Sequence, residues 1–350
     1  MAASDQQLVL PIIDSHIHLY PSSEIDTLAW AKPDHPLYAQ HSVEEYKEAA
    51  KTAPSLLGFI FVETDRKHDL ASGAADGSGW EAPLQEVRWL RRIALGEPRD
   101  GEGHAADDKK LCLAVVPWAP LPSGPAVLDR YLDRVKEEAG EAWPKVKGFR
   151  YLLQDKPNGT MLEQDFIDSL KLLGRRGFVF EVGVDQHRRG RKQLDELIEL
   201  VDRVHDGVPE NEKVKLVINH LCKPDFSILN LATDPAFHAW RTTIYALGKV
   251  PQVYMKLSGG FAEMPEALRA QDAAHIFQST FGWLGVVLAT FGARRIMFGS
   301  DWPVCTVGMP EGQGWPRWKA VVDKMCWMAS LDDDERAMIY GGTAKEAYGL

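Results

Sequence analysis

Residues 10–20 read LPIIDSHIHLY, a short apolar stretch with the pattern of a buried β-strand that ends in two histidines. Side chains alternate between the two faces of a strand, so His16 and His18 are expected on one face, together with Asp14. Two imidazoles at a strand end can bind one metal ion or one acidic substrate group. Two ordinary polar residues at a strand–loop junction would give the same short pattern, so the rest of the chain has to decide between these interpretations.

The rest of the chain alternates short apolar stretches with stretches of helical periodicity. The eight predicted strands are 10–20, 57–63, 111–116, 146–151, 177–184, 214–220, 252–259 and 295–302. The predicted helices are 43–52, 83–95, 125–139, 164–173, 193–205, 235–247, 272–291, 316–330 and 332–339. Residues 21–41 and 96–110 are predicted to be loops, and the glycine-containing residues 73–79 a flexible turn.

This order of elements predicts an α/β fold with a parallel sheet, because strands that alternate with helices pair through right-handed crossovers. Eight such units in 350 residues match a (β/α)8 TIM barrel, expected to be distorted and extended by extra C-terminal helices. We expect a single domain over residues 1–350. An open doubly wound sheet is the alternative, but it would need a glycine-rich phosphate-binding turn, and the sequence contains no G-x-G-x-x-G.

The composition is that of a protein with a sizeable apolar core, since 45% of the residues are hydrophobic. With 40 basic and 50 acidic residues the net charge is −10. This charge argues against binding of nucleic acid or of an anionic membrane through bulk electrostatics. Charge and composition do not determine the oligomeric state and are compatible with a homodimer.

Four scattered cysteines indicate buried thiols in a reducing compartment, because none forms a C-x-x-C pair. They are Cys112, Cys222, Cys305 and Cys326. The first nine residues have neither the basic nor the apolar segment of a signal peptide, and no apolar run approaches the roughly 18 residues of a membrane span. The sequence therefore predicts a cytoplasmic protein.

Nearly every predicted strand ends in a polar or aromatic residue. In a barrel of this type the active site lies at the carboxyl ends of the strands, so these residues are expected to meet there. They are His16, His18, Glu63, Trp118, Arg150, Glu181, His220, Lys256, Ser258, Asp301 and Trp302. Polar residues placed at random would fall on helices and loops instead, so the recurrence predicts a functional site.

Three of these strand ends carry motifs that resemble the amidohydrolase superfamily, in its amidohydrolase-2 branch of aldonolactonases and related hydrolases. The motifs are IDSHIH at 13–18, NH at 219–220 and FGSDWP at 298–303. The resemblance extends from about residue 11 to residue 350, although the family's tail more often has Asn where this chain has Gly342. Within the branch, ETDR at 63–66, GFRYLLQ at 148–154 and GVDQH at 183–187 most resemble fungal L-rhamnono-γ-lactonases.

The resemblance implies a role for each matching residue. His16 and His18 correspond to the paired metal ligands of the first strand, and Asp301 to the carboxylate that binds metal and takes a proton from the attacking water. His220 corresponds to the histidine that polarises the carbonyl or holds the site. Metal-dependent relatives often place a further histidine on the fifth strand, where this chain has Glu181, which is therefore a candidate ligand. The implied cofactor is a divalent metal, with zinc favoured, that is bound weakly or is dispensable in some members.

The implied reaction is the opening of a sugar aldonolactone, with L-rhamnono-1,4-lactone favoured, as part of carbohydrate metabolism and rhamnose catabolism. A divalent ion would lower the pKa of water to about 7 and polarise the carbonyl. A sugar lactone is neutral, with many hydroxyl groups and apolar C–H faces. Trp118 and Trp302 are expected to pack on those faces, and Glu63, Arg150 and Lys256 to bind the hydroxyls. The expected partner is this small molecule.

Two other functions remain open at this point. A non-oxidative decarboxylase of the same superfamily would use a similar metal site on carboxylated aromatic substrates, and a barrel without catalysis would bind a sugar only. Structural roles also remain open for single residues: Glu63 as the salt-bridge partner of Arg66 or Arg150, Lys256 as the partner of a strand-end acid, His220 as a core histidine.

Overall fold

Eight parallel strands form the centre of the molecule in the computed structural model, which describes residues 9–350. The strands are β1 (Ile12–Ile17), β2 (Leu56–Val62), β3 (Cys112–Val116), β4 (Gly148–Arg150), β5 (Val179–Val182), β6 (Lys215–Ile218), β7 (Val253–Leu257) and β8 (Ile296–Phe298). All eight predicted strands are confirmed, although most are shorter than predicted. Several of the polar residues at the predicted strand ends therefore belong to the loops that follow.

The strands close into a barrel. Parallel ladders connect β1 to β3 in one set and β4 to β8 in the other. Between the sets, Lys147 N donates to Val115 O at 3.1 Å, and His18 N donates to Trp302 O at 2.7 Å. These bonds join β3 to β4 and β8 to β1, so the predicted (β/α)8 barrel is confirmed. The first and last strands are neighbours, which brings residues from both ends of the sequence together.

The helices form the outer layer of the barrel and also close its amino end. Within residues 9–350 they are α1 (Val43–Ala49), α2 (Leu70–Asp76), α3 (Glu81–Leu95), α4 (Pro125–Ala139), α5 (Gln164–Arg175), α6 (Gln186–Arg189), α7 (Arg191–His205), α8 (Pro235–Gly248), α9 (Glu266–Arg269), α10 (Ala273–Phe291), α11 (Gly314–Met328), α12 (Asp333–Ala337) and α13 (Thr343–Tyr348). A π-helical turn, Met338–Gly342, separates the last two. The predicted extra C-terminal helices are thus present.

The flexible turn predicted for residues 73–79 is wrong, because helix α2 occupies most of it. Asp69 caps this helix by accepting a hydrogen bond from Ser72 N at 2.7 Å. Gly77 ends it in the left-handed conformation, with φ of 84°. Gly73 is needed for packing, since a Cβ atom there would lie 2.2 Å from Trp80 Nε1. The glycines of this stretch therefore serve a helix end and a close contact.

The barrel interior is apolar below the site and is closed at its amino end by α13. The buried side chains that pack together there are Ile13, Ile60, Val62, Ala114, Val116, Val179, Val217, Met297, Ala344, Ala347 and Tyr348. Lys147 Nζ donates to Gly349 O at 3.1 Å, and Lys215 Nζ donates to Glu346 O at 3.0 Å. Two lysines at the starts of strands thus bind the last carbonyls of the chain.

Strand β1 contains an irregularity that separates Asp14 from the histidines. The register of its pairing with β2 shifts between Asp14 and Ile17. The Asp14 carboxylate accepts hydrogen bonds from Ser300 N at 2.7 Å, Trp315 Nε1 at 2.8 Å and the Tyr46 hydroxyl at 3.0 Å. Asp14 therefore faces the helix layer, and the expectation that it shares a face with His16 and His18 is wrong. A bulge of this kind changes the alternation of side chains along a strand.

Helix α10 is long and apolar enough, by length and composition alone, to cross a membrane. In this structure it packs against α8 and α11 in the outer layer, with Ile276, Trp283 and Val287 buried. Its apolar character therefore serves the helix layer of the barrel.

Candidate active site

Three histidines converge on one carboxylate at the carboxyl end of the barrel. The distances from Asp301 Oδ1 are 3.5 Å to His18 Nε2, 3.7 Å to His16 Nε2 and 3.8 Å to His220 Nε2. His16 lies in β1 and His18 directly follows it, while His220 follows β6 and Asp301 follows β8. The two ring atoms His16 Nε2 and His18 Nε2 lie 3.2 Å apart. The structure thus brings together four of the residues predicted for the site.

Each imidazole is oriented through its other nitrogen. His18 Nδ1 lies 2.9 Å from Val62 O and 3.0 Å from Glu63 O. Carbonyl oxygens only accept, so Nδ1 of His18 carries the proton and Nε2 presents its lone pair to the centre. His220 Nδ1 lies 2.9 Å from Ser258 Oγ. Such contacts fix the tautomer and the orientation of histidines that bind metals or protons.

The charges of the site follow from its burial. Burial lowers the pKa of His16 and of His220 well below the ordinary value, so both imidazoles are neutral at pH 7. Burial acts to raise the pKa of Asp301, but the adjacent His220 and His18 rings hold it below its ordinary value. Asp301 is therefore an ionised carboxylate beside the neutral imidazoles of His16 and His220, which suits it to accept a proton.

His220 is positioned by an unusual backbone. Four consecutive residues, His220 to Lys223, have φ between 48° and 61°, a conformation that L-residues rarely adopt. Trp240 Nε1 holds this left-handed turn by donating to Leu221 O at 2.7 Å. Gly259 makes room for the ring, since a Cβ atom there would lie 2.4 Å from His220 Nδ1. Such strain is typical of residues whose position serves function.

The donor atoms fit a divalent cation. The ligand atoms of His16, His220 and Asp301 lie within 4.8 Å of one another. Imidazole nitrogens and a carboxylate oxygen are the donors that zinc prefers, and three protein ligands leave a position open for water. His18 presents a fourth donor to the same centre. We therefore treat this group as a candidate metal centre.

Glu181, predicted as a metal ligand, lies behind His16, on the side of Nδ1. Its Oε1 accepts from Lys256 Nζ at 2.6 Å and from the Tyr348 hydroxyl, and its Oε2 accepts from Asn219 Nδ2 at 2.6 Å. Its nearest approach to His16 is 3.5 Å, from Oε2 to Nδ1. Both oxygens are thus occupied by other donors, and Glu181 is outside the group around Asp301.

Lys256 is also buried at this position, where its Nζ lies 3.2 Å from His16 Nδ1. Burial lowers the pKa of Lys256 from 10.5 to about 8, while Glu181 favours the charged form. Lys256 is therefore placed to orient His16, and its side chain does not reach the open cavity.

A cavity of about 510 Å³ opens above the histidines. The predicted site residues that line it are His18, Arg150, His220 and Asp301. The structure also places Tyr20, Trp30, His35, Leu37, Thr64, Asp65, Leu152, Gln154, Asp155, Lys223, Ala262, Arg269, Pro303, Val304 and Val307 along its wall. A second cavity, of about 600 Å³, lies between α7 and α8 and contains none of the predicted site residues.

Four residues predicted to bind substrate do not line the cavity: Glu63, Trp118, Lys256 and Trp302. Glu63 is fully buried and its Oε1 accepts from Arg150 Nε at 2.6 Å, the salt bridge that the sequence left open. Trp118 packs against His68 and Tyr131, with ring centroids 4.5 and 5.3 Å apart. Trp302 packs against His41 and Tyr46. The aromatic rings therefore support the loops around the site.

Sequence reasoning missed the polar residues that reach the cavity from the loops. They are His35, Thr64, Asp65, Gln154, Asp155 and Lys223, together with Arg269 at the end of α9. Asp65 and Gln154 lie within motifs that carry the family resemblance, and both follow a strand end by a few residues. Their position after a strand could have identified them, because in this type of barrel the loops that follow the strands contain the residues that determine substrate specificity.

Comparison with known proteins finds amidohydrolases and sugar lactonases among the proteins that this chain resembles. The family model Amidohydro_2, described as amidohydrolase, matches residues 13–350. The chain is 33% identical over 345 residues to L-rhamnono-gamma-lactonase of Scheffersomyces stipitis, covering 97% of this chain and 98% of the relative. It is 32% identical over 288 residues to L-fucono-1,5-lactonase of Burkholderia multivorans, covering 81% and 83%. A crystal structure of a zinc-bound amidohydrolase from Burkholderia multivorans has the same fold, with a TM-score of 0.69, 24% identity, and coverage of 97% and 99%.

Proposed function

The chain belongs to the Amidohydro_2 family of amidohydrolases and is a lactone hydrolase, and we propose that its substrate is a sugar aldonolactone, with L-rhamnono-1,4-lactone preferred. The proposal for the sugar is supported by the relative of 33% identity, which spans nearly the whole of both chains. A cavity of about 510 Å³ has room for such a molecule.

The observation that carries the proposal is the convergence of three imidazoles on Asp301 Oδ1, at 3.5 to 3.8 Å, at the base of the cavity. Lactone hydrolysis is acyl transfer to water, and water at neutral pH is a poor nucleophile. The reaction needs a base beside the water and positive or hydrogen-bonding groups beside the carbonyl oxygen. The ionised carboxylate of Asp301 supplies the first requirement, and the groups around it supply the second.

In the proposed mechanism Asp301 accepts a proton from water as its oxygen bonds to the lactone carbonyl carbon. Negative charge develops on the carbonyl oxygen, where the Arg150 guanidinium, and His220 Nε2 when it is not bound to a cation, are the available stabilising groups. The ring C–O bond then breaks, and the proton held by Asp301 passes to the departing ring oxygen, which becomes a hydroxyl. The product is an open-chain aldonic acid, which ionises and releases one proton.

A divalent cation, zinc by preference, would be held by His16, His18, His220 and Asp301, and when bound it would polarise the carbonyl and lower the pKa of water. The set of donor atoms supports this assignment. Glu181 and Lys256 would act on it indirectly, because they set the orientation of His16 through its Nδ1 side.

A lactone panel tests the function. The purified protein, with and without added Zn²⁺ or Mn²⁺, is assayed by pH indicator on L-rhamnono-1,4-lactone, L-fucono-1,5-lactone and D-glucono-1,5-lactone. We expect acid release from one or more of the three lactones, with the highest kcat/KM for L-rhamnono-1,4-lactone. A hydroxylated benzoate is included, with carbon dioxide as the readout. Turnover of the benzoate without turnover of any lactone would replace our proposal with a decarboxylase.

We further propose one domain over residues 1–350 and a cytoplasmic location, which the four free, buried cysteines support. A homodimer remains a prediction, and light scattering on the eluted protein would test it.

A further inference from the structure

Asp65 has a backbone conformation that few residues of this chain share. It lies three residues beyond the end of β2 and has φ of 56°, in the left-handed region. The non-glycine residues with positive φ in residues 9–350 are Asp65, His220, Leu221, Cys222, Lys223, Asp301 and Ser330. All but Ser330 lie in loops at the carboxyl end of the barrel. Strained residues of this kind persist when the surroundings hold them in place, and they concentrate at functional sites.

The surroundings of Asp65 do hold it in place. Glu63 Oε2 accepts a hydrogen bond from Asp65 N at 2.5 Å, and Asp65 O accepts one from Ala29 N at 2.8 Å. The other oxygen of Glu63 is bound by Arg150, whose Nη2 also donates to Glu63 O at 2.7 Å. Both backbone groups of Asp65 are thus fixed by a buried ion pair and by the loop before α1. The direction of its side chain follows from this framework.

The Asp65 side chain points to the cavity and has no partner in the part of the protein that the structure describes. It is half-buried and lines the same cavity as Asp301 and His220. Within residues 9–350, neither of its carboxylate oxygens makes a hydrogen bond or an ion pair, whereas the buried carboxylates of Asp14, Glu63 and Glu181 each make several. Burial, and then the charge of Glu63, raise the pKa of Asp65 to about 7. An acceptor held in place at a partly desolvated position is a site for a ligand that donates hydrogen bonds.

We propose that Asp65 is a specificity-determining residue that accepts hydrogen bonds from hydroxyl groups of the lactone, an inference that rests on the proposed function. A sugar lactone is neutral, and its hydrogen-bond donors are hydroxyl groups. The two oxygens of one carboxylate are well placed to accept from two hydroxyls on neighbouring carbon atoms. Gln154 and Asp155 lie on the wall of the same cavity and add further polar groups. The buried pair of Glu63 and Arg150 then positions Asp65, and Glu63 itself does not touch the substrate.

The test compares Asp65→Gly with the wild type on the intact lactone and on lactones that each lack one hydroxyl. Glycine adopts the left-handed backbone without strain, so this variant removes the carboxylate and leaves the loop conformation accessible. We expect kcat/KM on the intact lactone to fall about 10- to 100-fold, mainly through KM, since the hydrogen bonds between the Asp65 carboxyl group and the substrate hydroxyls are lost. On the deoxylactone that lacks the contacted hydroxyl, the wild type and the variant should differ by less than about twofold.

Two further variants make the test decisive. Asp65→Asn keeps the shape and tolerates the left-handed conformation, so it should show a smaller loss with the same dependence on one hydroxyl. Asp100→Gly, at an exposed loop position outside the cavity, is the matched control and should leave all rates unchanged. If either Asp65 variant fails to fold, the other carries the comparison.

The outcomes separate the inference from the function on which it rests. Wild-type turnover with unchanged kinetics for Asp65→Gly would overturn the inference alone. An equal deficit on every deoxylactone would also overturn it, because Asp65 would then act through the loop structure. Absence of lactone turnover by the wild type would overturn the proposed function and this inference with it.

Discussion

The two ends of the barrel differ in chemistry and in backbone conformation. The carboxyl end carries the histidines, Asp301 and the left-handed residues of three loops, with a cavity above them. The amino end is filled by apolar side chains and closed by α13, where the last carbonyls of the chain bind Lys147 and Lys215. The comparison teaches that most non-glycine residues with a left-handed backbone lie at the end of the barrel where a reaction can use them.

A short chain of polar contacts connects the two ends. The Tyr348 hydroxyl, from α13, donates to Glu181, and Glu181 binds Lys256, whose Nζ lies 3.2 Å from His16 Nδ1. Lys256 Nζ also lies 5.6 Å from the centre of the Tyr348 ring. The C-terminal helix therefore supports His16 from below. Substitutions at the two ends of the barrel test whether the carboxyl end mainly determines activity and the amino end mainly determines stability.

The largest effect is expected for Asp301→Asn. The amide keeps the shape of the side chain but cannot accept the proton of water, so kcat/KM on the lactone should fall about 10²–10⁴-fold. Stopped assays with pH indicator measure the activity, and chemical denaturation checks that the variant is folded. Unchanged activity in this variant would remove Asp301 from the mechanism.

A smaller but still large effect is expected for Gly259→Ala. The added Cβ would lie 2.4 Å from His220 Nδ1, so the imidazole must move, and a displacement of this order reduces kcat/KM by about 100-fold. Gly349→Ala is the matched control, because Gly349 has a similar φ of 64° in the same left-handed region but a Cβ atom added there would have no neighbour within 4 Å. Equal loss of activity in both variants would attribute the effect to backbone strain and not to His220.

Binding of a metal ion at the carboxyl end of the barrel should stabilise the folded protein. A cation held by the histidines binds only the folded state, so Zn²⁺ at 100 times its Kd should raise the free energy of unfolding by about 2.7 kcal/mol. Thermal denaturation with increasing Zn²⁺ measures this, with Asp301→Asn expected to show a weaker response. A melting temperature that does not respond to Zn²⁺ or Mn²⁺ would count against the candidate metal centre.

The smallest effect on activity is expected for Tyr348→Phe, at the amino end. Loss of the hydroxyl leaves Glu181 with one donor fewer, so the free energy of unfolding should fall by about 1–3 kcal/mol. The activity should change far less than in Asp301→Asn. Tyr245→Phe, at an exposed position of α8, is the control and should change neither quantity. A large loss of activity with unchanged stability would show that the amino end takes a direct part in catalysis.

The barrel and its central residues could be predicted from sequence because they follow from periodicity. Alternating strands and helices imply a parallel barrel, and in such a barrel residues at strand ends meet, as His16, His18, His220 and Asp301 do. Lys256 and Glu181 were also correctly placed at strands, but their mutual salt bridge depends on how far each side chain lies from the mouth. Sequence periodicity shows which residues lie in strands, but not how far each side chain lies from the mouth of the barrel.

The remaining differences have local physical causes. The bulge in β1 turned Asp14 to the helix layer, and no residue type in that strand marks it. Glu63 is buried in a salt bridge with Arg150 and does not line the cavity. Asp65, whose backbone is in the left-handed region, lines the cavity instead. Such a conformation in a residue other than glycine is selected by tertiary contacts, so sequence patterns could not reveal it.

The most direct test of the central claim is hydrolysis of L-rhamnono-1,4-lactone in ¹⁸O-labelled water, followed by mass spectrometry of the product. Attack of water on the lactone carbonyl places one ¹⁸O atom in the carboxylate, and the hydroxyl formed from the ring oxygen stays unlabelled. We expect this pattern with the wild type, and a rate of labelled product formation at least about 100-fold lower with Asp301→Asn. Label in the ring-derived hydroxyl, or no turnover by the wild type, would contradict the account.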